Sequence, residues 1–337
     1  MSDPRAPEKK SPFQRPASRA GIRDPRNATF ISSLKDLEKD ARPKQLSAHT
    51  SILRLEDLEE VAETPAAEPL GHAPAPPSTV QSKMVAFFGA KGGTGATTLA
   101  LNTAGALAAF TRSAVVVDMD LQLGAVPVCL NIKPERSIAE IVVEAINSTG
   151  PVQSGLDRHA SGLAMVAQGD RIEELAAVTT DRLPRFFDAL GQSFRYVIVD
   201  GLGDFSDHAV ASMDLAHQVV LVATQDVPAV RAAARSLRIF RRLGYGPERI
   251  KVVINRYHKK APVTLEAIAN ALGQPVDAVV RNDFPLVEQA LNHGMLVQDI
   301  KPSSGLARDI EALARLIGDL PSGRGGGGFL SRLFRRG

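Results

Sequence analysis

The sequence predicts an α/β domain with a mostly parallel central sheet flanked by helices on both faces. From residue 84 onward, short and almost continuously apolar runs alternate with longer segments of helical periodicity. Apolar strands separated by helices indicate a parallel sheet that is covered on both faces. The composition agrees, because 44% of the residues are hydrophobic, only 5% are aromatic and tryptophan is absent. Such a sheet binds its ligands at the carboxyl ends of the strands.

Seven strands and five helices follow from this pattern, in one domain of residues 83–320. The apolar runs predict strands at 84–88, 114–117, 163–166, 196–199, 219–222, 251–254 and 276–280. The helical windows between them are 97–110, 181–190, 227–243, 265–272 and 306–317. The conspicuous polar residues follow the first, second, fourth and sixth of these strands. We therefore expect the functional site at that edge of the sheet.

Residues 1–82 differ from the rest in being crowded with proline, alanine, serine and charge. A segment of this composition buries too little apolar area to offset its ordering entropy, so we expect a disordered tail. Two proline-free windows, 30–40 and 52–61, have helix-like apolar spacing and could fold onto a partner. A tether with transient helices is the interpretation that we favour.

Charge and cysteine content exclude several classes of protein. The net charge of +3 gives a weak mean field, so any basic binding surface must be local. The single cysteine, Cys129, excludes a disulfide framework and a cysteine-ligated cluster within one chain. The sequence shows neither an N-terminal apolar segment typical of a signal peptide nor a run of 18 apolar residues. We expect a cytoplasmic protein.

The strongest motif is the glycine-rich run KGGTGATT, residues 91–98, between the first strand and the first helix. Glycines let backbone N–H groups close around phosphate oxygens, and the helix N-terminus adds a favourable dipole. Thr97 is placed for its hydroxyl to bind Mg²⁺. A turn that merely joins strand to helix is the less favoured alternative. The predicted phosphate-binding residues are Gly92, Gly93, Thr94, Gly95, Ala96, Thr97 and Thr98.

At these residues the sequence resembles the MinD/ParA family of P-loop ATPases, whose deviant Walker A motif reads KGGxGK[ST]. Lys91 matches the family lysine that reaches the partner's phosphates in a nucleotide-sandwiched dimer. Ala96 replaces the second lysine, which contacts the β and γ phosphates in cis. The sequence is similar in this to the CpaE/TadZ pilus-assembly branch. The resemblance implies a P-loop NTPase fold that binds ATP and Mg²⁺ and forms a homodimer.

Further motifs follow in the family's order. VVVDMDLQLG, residues 115–124, resembles the branch's switch I region, where Asp120 corresponds to the family's water-positioning aspartate and a metal-site residue. Asp200 ends an apolar strand in the Walker B arrangement, where its carboxylate would hold a water of the Mg²⁺ shell; a helix cap or turn remains equally open for this residue alone. Asn255 and Arg256 resemble the family's adenine-contacting segment. The side-chain amide of Asn255 could both donate a hydrogen bond to the base and accept one from it.

Ala96 has a predictable effect on catalysis. ATP binding survives without a lysine there, but the charge that neutralises the γ-phosphate is lost. Removing one preorganised electrostatic contact costs a rate factor of about 10²–10³. Lys91 compensates only once two chains face each other. We therefore expect ATP binding, dimerisation and slow or absent hydrolysis.

Residues 321–337 predict a glycine linker followed by a basic amphipathic helix that targets membranes. This end resembles the C-terminal targeting helix of MinD. One such segment binds an anionic leaflet weakly, and two on a dimer gain avidity. A frayed basic tail, or one docked on the protein itself, is the alternative. The apolar side holds Phe329, Leu330, Leu333 and Phe334, and the basic side holds Arg332, Arg335 and Arg336.

The sequence as a whole favours a CpaE/TadZ-like localisation or scaffold factor for pilus or secretion machinery at the inner membrane, with a cell pole as one candidate location. One rival is an active ATPase that positions flagella or division proteins. A second rival is a DNA-binding partition protein. The second rival draws on a basic stripe at Arg231, Arg235, Arg238 and Arg242 in the 227–243 helix. Such a stripe is usually only a solvated face.

Overall fold

An eight-stranded sheet forms the centre of the part of the chain that the structure describes. The structure is a computed structural model that describes residues 82–148, 150–152, 155–169 and 171–321. In chain order the strands are β1 (Lys83–Gly89), β2 (Ala114–Asp118), β3 (Asp157–Arg158), β4 (Ala164–Val166), β5 (Tyr196–Leu202), β6 (Gln218–Thr224), β7 (Ile250–Tyr257) and β8 (Ala278–Arg281). They lie in the order β3-β4-β2-β5-β1-β6-β7-β8. All neighbouring pairs are parallel except β3 with β4, which confirms the predicted mostly parallel sheet.

Helices connect the parallel strands and return the chain to the amino edge of the sheet each time. The helices are α1 (Ala96–Thr111), α2 (Val126–Leu130), α3 (Ile138–Asn147), α4 (Leu183–Ser193), α5 (Asp207–Leu215), α6 (Val227–Arg242), α7 (Leu265–Leu272), α8 (Phe284–Asn292), α9 (Val297–Ile300) and α10 (Gly305–Ile317), with a 3-10 helix at Ile172–Ala177. None of the helices within the described ranges is both long and apolar enough to cross a membrane.

Helices cover both faces of the sheet, as predicted. Val85 and Phe87 of β1 point into a core shared with α1 and α10. The next residue, Phe88, points to the opposite face, where its ring centroid lies 5.2 Å from that of Phe240 in α6. This alternation is the period of two that a strand imposes on its side chains. Both faces of β1 are therefore buried, which explains its continuous apolar sequence.

The predicted elements are confirmed to within a few residues, but several short helices were missed. The clearest miss is α3, which begins with a capping box: the Glu140 amide donates to Ser137 Oγ over 3.2 Å, and the Ser137 amide donates to a Glu140 carboxylate oxygen over 3.2 Å. The motif Ser-x-x-Glu was visible in the sequence. The strand predicted at 276–280 begins later, at Ala278, because the Asp277 carboxylate accepts from the Val252 amide over 2.8 Å.

Three of the predicted segments lie outside the described residues. They are the windows 30–40 and 52–61, which belong to the predicted tail, and the amphipathic segment 329–337. The rest of the predicted tail up to residue 81 also lies outside the described residues. Ser82, which the prediction placed at the end of the tail, donates a hydrogen bond from Oγ to the carbonyl oxygen of Phe194 over 2.8 Å. At the other end, the described chain reaches Pro321, whose carbonyl oxygen accepts from Arg315 over 2.8 Å.

Candidate nucleotide-binding site

The predicted site residues meet at the carboxyl edge of the sheet, where four central strands end. The glycine loop follows β1, the Asp118–Asp120 turn follows β2, Asp200 lies near the end of β5, and Asn255 lies near the end of β7. Since β2, β5 and β1 are adjacent in the sheet, the turn, Asp200 and the loop are neighbours in space. Residues far apart in the sequence thus converge by topology alone.

The glycine loop connects the end of β1 to the start of α1. Gly95 is the N-cap of α1 and has φ of 82°, a left-handed conformation that costs an L-residue about 1–2 kcal/mol. A Cβ atom at Gly95 would lie 2.5 Å from Nδ2 of Asn255. The same Asn255 nitrogen donates to the Thr94 carbonyl oxygen over 2.9 Å. Glycine is therefore required at this position for its backbone and for the approach of β7.

Replacing Gly95 with alanine is expected to lower the free energy of unfolding by about 1–2 kcal/mol from the backbone alone. The Cβ atom also pushes Asn255 off the loop, so ATP affinity should fall with stability. Urea unfolding and calorimetry with Mg²⁺ and ATP measure the two effects.

The matched control is Gly92→Ala. Gly92 lacks the left-handed φ, and no atom lies within 4 Å of a Cβ placed there. We expect its stability to stay within about 0.5 kcal/mol of the parent. Equal stability of the two variants would contradict the proposed need for glycine at 95.

Thr97 and Asp200 form the hydroxyl–carboxylate pair that the sequence predicted for a magnesium site. The Thr97 hydroxyl lies close enough to the Asp200 carboxylate to lower its pKa. One carboxylate oxygen of Asp200, Oδ1, is buried and has no hydrogen-bond partner among the described residues. Burial, together with the charge of nearby Asp118, raises the pKa of Asp200 from 3.8 to about 7. A buried carboxylate with an unused oxygen is suited to a cation or its water shell.

Asp118 holds the turn after β2 and was not assigned a role from the sequence. Its Oδ1 accepts from the Asp120 amide over 3.1 Å, and its Oδ2 accepts from the Val126 amide over 3.0 Å. Burial raises its pKa to about 6, although the two amide bonds act in the opposite direction. Asp118 thus organises the backbone on which Asp120 sits, so its role is positional.

Gly201 lets this turn approach β5. It has φ of 83°, and a Cβ atom there would run into the Asp120 amide nitrogen. The Met119 amide donates to the Asp200 carbonyl oxygen over 3.0 Å, which joins the two strands beyond their ladder. A glycine directly after Asp200, near the end of an apolar strand, was the available sequence signal for this contact.

Asp120 lies at the exposed rim of the site, close enough to Asp200 and Asp118 for its charge to affect their pKa values. Its Oδ1 accepts from the Leu123 amide over 3.1 Å. An open cavity of about 430 Å³ begins here and separates the turn after β2 from the loop after β5. Polar side chains from both loops line it, namely Asp120, Gln122, Asp204, Ser206 and His208.

Lys91 and Arg256 point outward, away from the buried pair. Lys91 is exposed, and its Nζ lies 3.3 Å from the Gly92 carbonyl oxygen within its own loop. Arg256 is exposed and has φ of 52°. Ala96, by contrast, is the first residue of α1 and packs against the core. The only lysine in the loop is therefore directed to solvent, where a facing molecule would meet it.

Asn255 links the glycine loop to the end of β7. Its Nδ2 donates to Thr94, and its Oδ1 accepts from the Arg256 amide over 2.9 Å. The residue is buried, so both polar ends of its amide are used inside the protein. The geometry makes Asn255 an anchor of the glycine loop, and its contact with adenine stays a prediction.

Three aromatic rings fix the loop after β5 to the core. Phe205 lies 5.0 Å from Phe88 and 5.6 Å from Phe240, measured between ring centroids. Phe88 precedes the glycine loop, and Phe240 belongs to α6. We refer to these residues as the aromatic triad. Aromatic pairs at such distances contribute beyond their buried area, so the loop is held firmly.

The site fits a nucleotide with magnesium by its donor chemistry. The glycine loop offers backbone amides at a helix N-terminus, and the Asp200 carboxylate near Thr97 keeps one buried oxygen without a partner among the described residues. Hard oxygen donors of this kind are those that Mg²⁺ prefers. Within the described ranges, no group of three or more His, Cys, Asp or Glu side chains is arranged to hold a metal ion.

Fold and loop together define a P-loop α/β nucleotide-binding domain. The family described as the CobQ/CobB/MinD/ParA nucleotide binding domain matches residues 85–297. That match covers more than half of the chain, and the protein belongs to this family.

Individual relatives agree with the family assignment. The septum site-determining protein MinD of Thermotoga maritima is 24% identical over 233 residues, which are 67% of this chain and 84% of the relative. A ParA family ATPase from Chlorobium tepidum has a TM-score of 0.64 and 21% identity, covering 69% of this chain and 98% of that one. MinD from Pyrococcus horikoshii, solved with Mg-ADP, has a TM-score of 0.60 and 20% identity, covering 70% and 96%. These similar structures show the fold.

Proposed function

We propose that this protein binds ATP with Mg²⁺, dimerises around the nucleotide and hydrolyses it slowly or not at all. In this proposal it is a CpaE/TadZ-like localisation or scaffold factor for pilus or secretion machinery at the inner membrane. The observation that carries the proposal is the buried Asp200 carboxylate near Thr97, whose Oδ1 has no hydrogen-bond partner among the described residues. A site built for a cation at the phosphate end indicates a nucleotide ligand.

Roles follow for the residues at the edge of the sheet. Backbone amides of residues 92–98 would hold the phosphates, and Thr97 and Asp200 would hold the magnesium or its water. Magnesium supplies neutralising charge on the phosphate oxygens when bound. Asp120 would orient a water at the rim, since it lies exposed at the mouth of the cavity. Asn255 and Arg256 would border the base.

Dimerisation is supported by the direction of Lys91. The side chain is exposed and makes no ion pair with the described residues, so it is available to phosphates bound by a facing copy. Ala96 supplies no charge in cis. A site completed by the partner's lysine would make hydrolysis depend on the dimer.

Membrane attachment would come from residues 321–337. In this proposal residues 83–320 form the nucleotide-binding domain and residues 1–82 form a tail. Four apolar side chains between 329 and 334 and three arginines form the amphipathic pattern. Each arginine adds about 1 kcal/mol on an anionic leaflet, so one segment binds weakly and two bind with avidity. Nucleotide-driven dimerisation would thereby set membrane residence.

The test is sedimentation of the full chain with anionic vesicles in the presence of Mg²⁺ and ATP. We expect ATP-dependent sedimentation that is lost when residues 329–337 are deleted, because both copies of the dimer then lack their membrane contact. Ser331→Ala is the matched control, since it changes neither the apolar nor the basic side. Unchanged sedimentation after the deletion would overturn the membrane role. A chain that ignores ATP in calorimetry and stays monomeric would overturn the proposal as a whole.

A second candidate function is an active ATPase that positions flagella or division proteins. Its support is the likeness to a relative described as septum site-determining. Phosphate release that is stimulated by membranes or by a partner protein would favour it. A DNA-binding partition role rests on the basic stripe of α6, and it requires a steep salt dependence of DNA retention that does not involve residues 329–337.

A further inference from the structure

The outer face of α6 carries an unpaired row of positive charge. Arg235, Arg238 and Arg242 are exposed, and none makes a hydrogen bond or ion pair with another residue in the described part of the chain. The opposite face of the helix is buried through Val230, Leu237 and other apolar residues. At 1.5 Å per residue, the three guanidinium-bearing positions span about 10 Å. We call this row the arginine face.

Like charges spaced three and four residues apart on a helix repel one another, so this face gains from an anionic partner. The neighbouring arginine on the helix flank, Arg241, is already turned toward α7, where its guanidinium donates to the Leu272 carbonyl oxygen over 3.4 Å. The arginine face itself has no carboxylate partner among the described residues.

The chain contains an acidic segment whose charge is complementary to the arginine face. Between residues 56 and 63 the sequence EDLEEVAE holds five carboxylates and no cation. Glu56, Glu59, Glu60 and Glu63 have i, i+3, i+4 and i+7 spacing, which places them on one side of a helix. Positions 56 and 63 are seven residues apart, as are positions 235 and 242. The two charge rows are therefore opposite in sign and similar in spacing and length.

The connection between them is long enough. Nineteen peptide units separate Glu63 from Ser82, where the described chain begins at the amino edge of β1. A proline-rich connection of this length reaches about 60 Å at 3.1 Å per residue. A folded domain of this size has a radius of gyration of about 18 Å. Arg242 lies at the end of α6, from which the chain returns to β7, so it is on the same edge of the sheet as Ser82.

We propose that the acidic segment 56–63 docks in cis on the arginine face of α6. The segment covers the face, and an external polyanion must displace it before binding there. This inference stands apart from the proposed nucleotide and membrane functions, because it uses neither the glycine loop nor residues 329–337. It gives the N-terminal part of the chain a regulatory role.

The experiment is hydrogen–deuterium exchange of the full chain, followed on the peptide that contains residues 56–63. The variant Arg235→Glu, Arg238→Glu and Arg242→Glu leaves that peptide's sequence intact. We expect its amides to exchange about threefold faster or more in this variant at low salt, because three ion pairs are lost. The parent should show the same acceleration at about 0.5 M salt. Reversing Glu56, Glu59 and Glu60 to lysine in the same variant should restore the protection.

Two controls separate docking from a change in net charge. Reversal of Asp36, Glu38 and Asp40 to lysine alters the other tail window, and Arg195→Glu with Arg308→Glu alters exposed arginines elsewhere; neither should change exchange of residues 56–63. Unchanged exchange after reversal of the arginine face would overturn the proposal. If that reversal weakens retention of a 20-base-pair DNA while exchange stays constant, the face belongs to nucleic acid and docking is likewise overturned.

Discussion

Replacing Ala96 with lysine is expected to raise the rate of ATP hydrolysis by about 10²–10³-fold. Ala96 is the first residue of α1, at the end of the glycine loop, so a lysine there projects from the position where the family motif carries its cis lysine. The added charge would stabilise the γ-phosphate as charge develops, and it would not require a second chain. Release of inorganic phosphate by the purified full chain measures the effect.

The matched control is Ala96→Met, which adds a side chain of similar length without charge. Methionine tests whether filling the space beside the loop changes the rate, and we expect no increase. If the lysine variant is no faster than the methionine variant, the lost charge is not what limits hydrolysis. If Ala96→Lys does raise the rate, replacing Lys91 in that variant should change the rate little. The charge at residue 96 would then substitute for the lysine of the facing chain.

Asp200→Asn is expected to have opposite effects on binding and on stability. Without nucleotide and magnesium, burial raises the pKa of Asp200 to about 7 in the folded protein, against 3.8 ordinarily. The folded state therefore holds a proton that the unfolded state releases between these values. The stabilising contribution of that proton is complete below about pH 4 and is lost as the pH rises through about 7.

An asparagine at position 200 does not titrate, so the ligand-free variant should be more stable than the parent only at higher pH. We expect the thermal midpoint of the ligand-free variant to match the parent near pH 4 and to exceed it by on the order of 5 °C at pH 8. Glu173→Gln is the control, because it removes an exposed carboxylate and should leave the midpoint unchanged at both values of pH. If the difference in thermal midpoint between the parent and Asp200→Asn were the same at pH 4 and pH 8, the interpretation that burial raises the pKa of Asp200 would be contradicted.

The same substitution should weaken magnesium-dependent ATP binding by about 10–100-fold, as loss of an outer-sphere metal partner does. The carboxylate beside Thr97 is the group that would hold the magnesium shell, and an amide carries no negative charge to do so. Calorimetry with and without Mg²⁺ separates this loss from effects on the nucleotide alone. Stability gained and function lost in one variant would identify Asp200 as a functional residue retained against folding stability.

The parts of the site that are local in sequence were predictable from the residues. The glycine loop between strand and helix, and the aspartate at a strand end, follow from short motifs, and the structure brings Thr97 and Asp200 together as expected. The alternation of apolar runs and helical windows likewise predicted the parallel sheet. These features depend on spacing within one element and its connection.

Other parts depend on contacts between distant segments, which periodicity does not reveal. Asn255 anchors Thr94 across 161 positions of sequence, and no local pattern indicates that its amide faces the loop. Asp118 likewise acts through the amides of Asp120 and Val126, so a residue that ends a strand proves to organise a turn. The short helices α2 and α9 have only five and four residues, too few for helical spacing to be recognised.

The aromatic triad has a mechanical consequence. Phe88 leads into the glycine loop, Phe205 follows Asp200 in the loop after β5, and Phe240 lies two residues from both Arg238 and Arg242 on α6. Flat, stiff rings in close contact cannot absorb a displacement by bending, so a shift of any one of them must be taken up by the others. We therefore expect a shift of the segment before the glycine loop to displace Phe240, on the helix that carries Arg238 and Arg242.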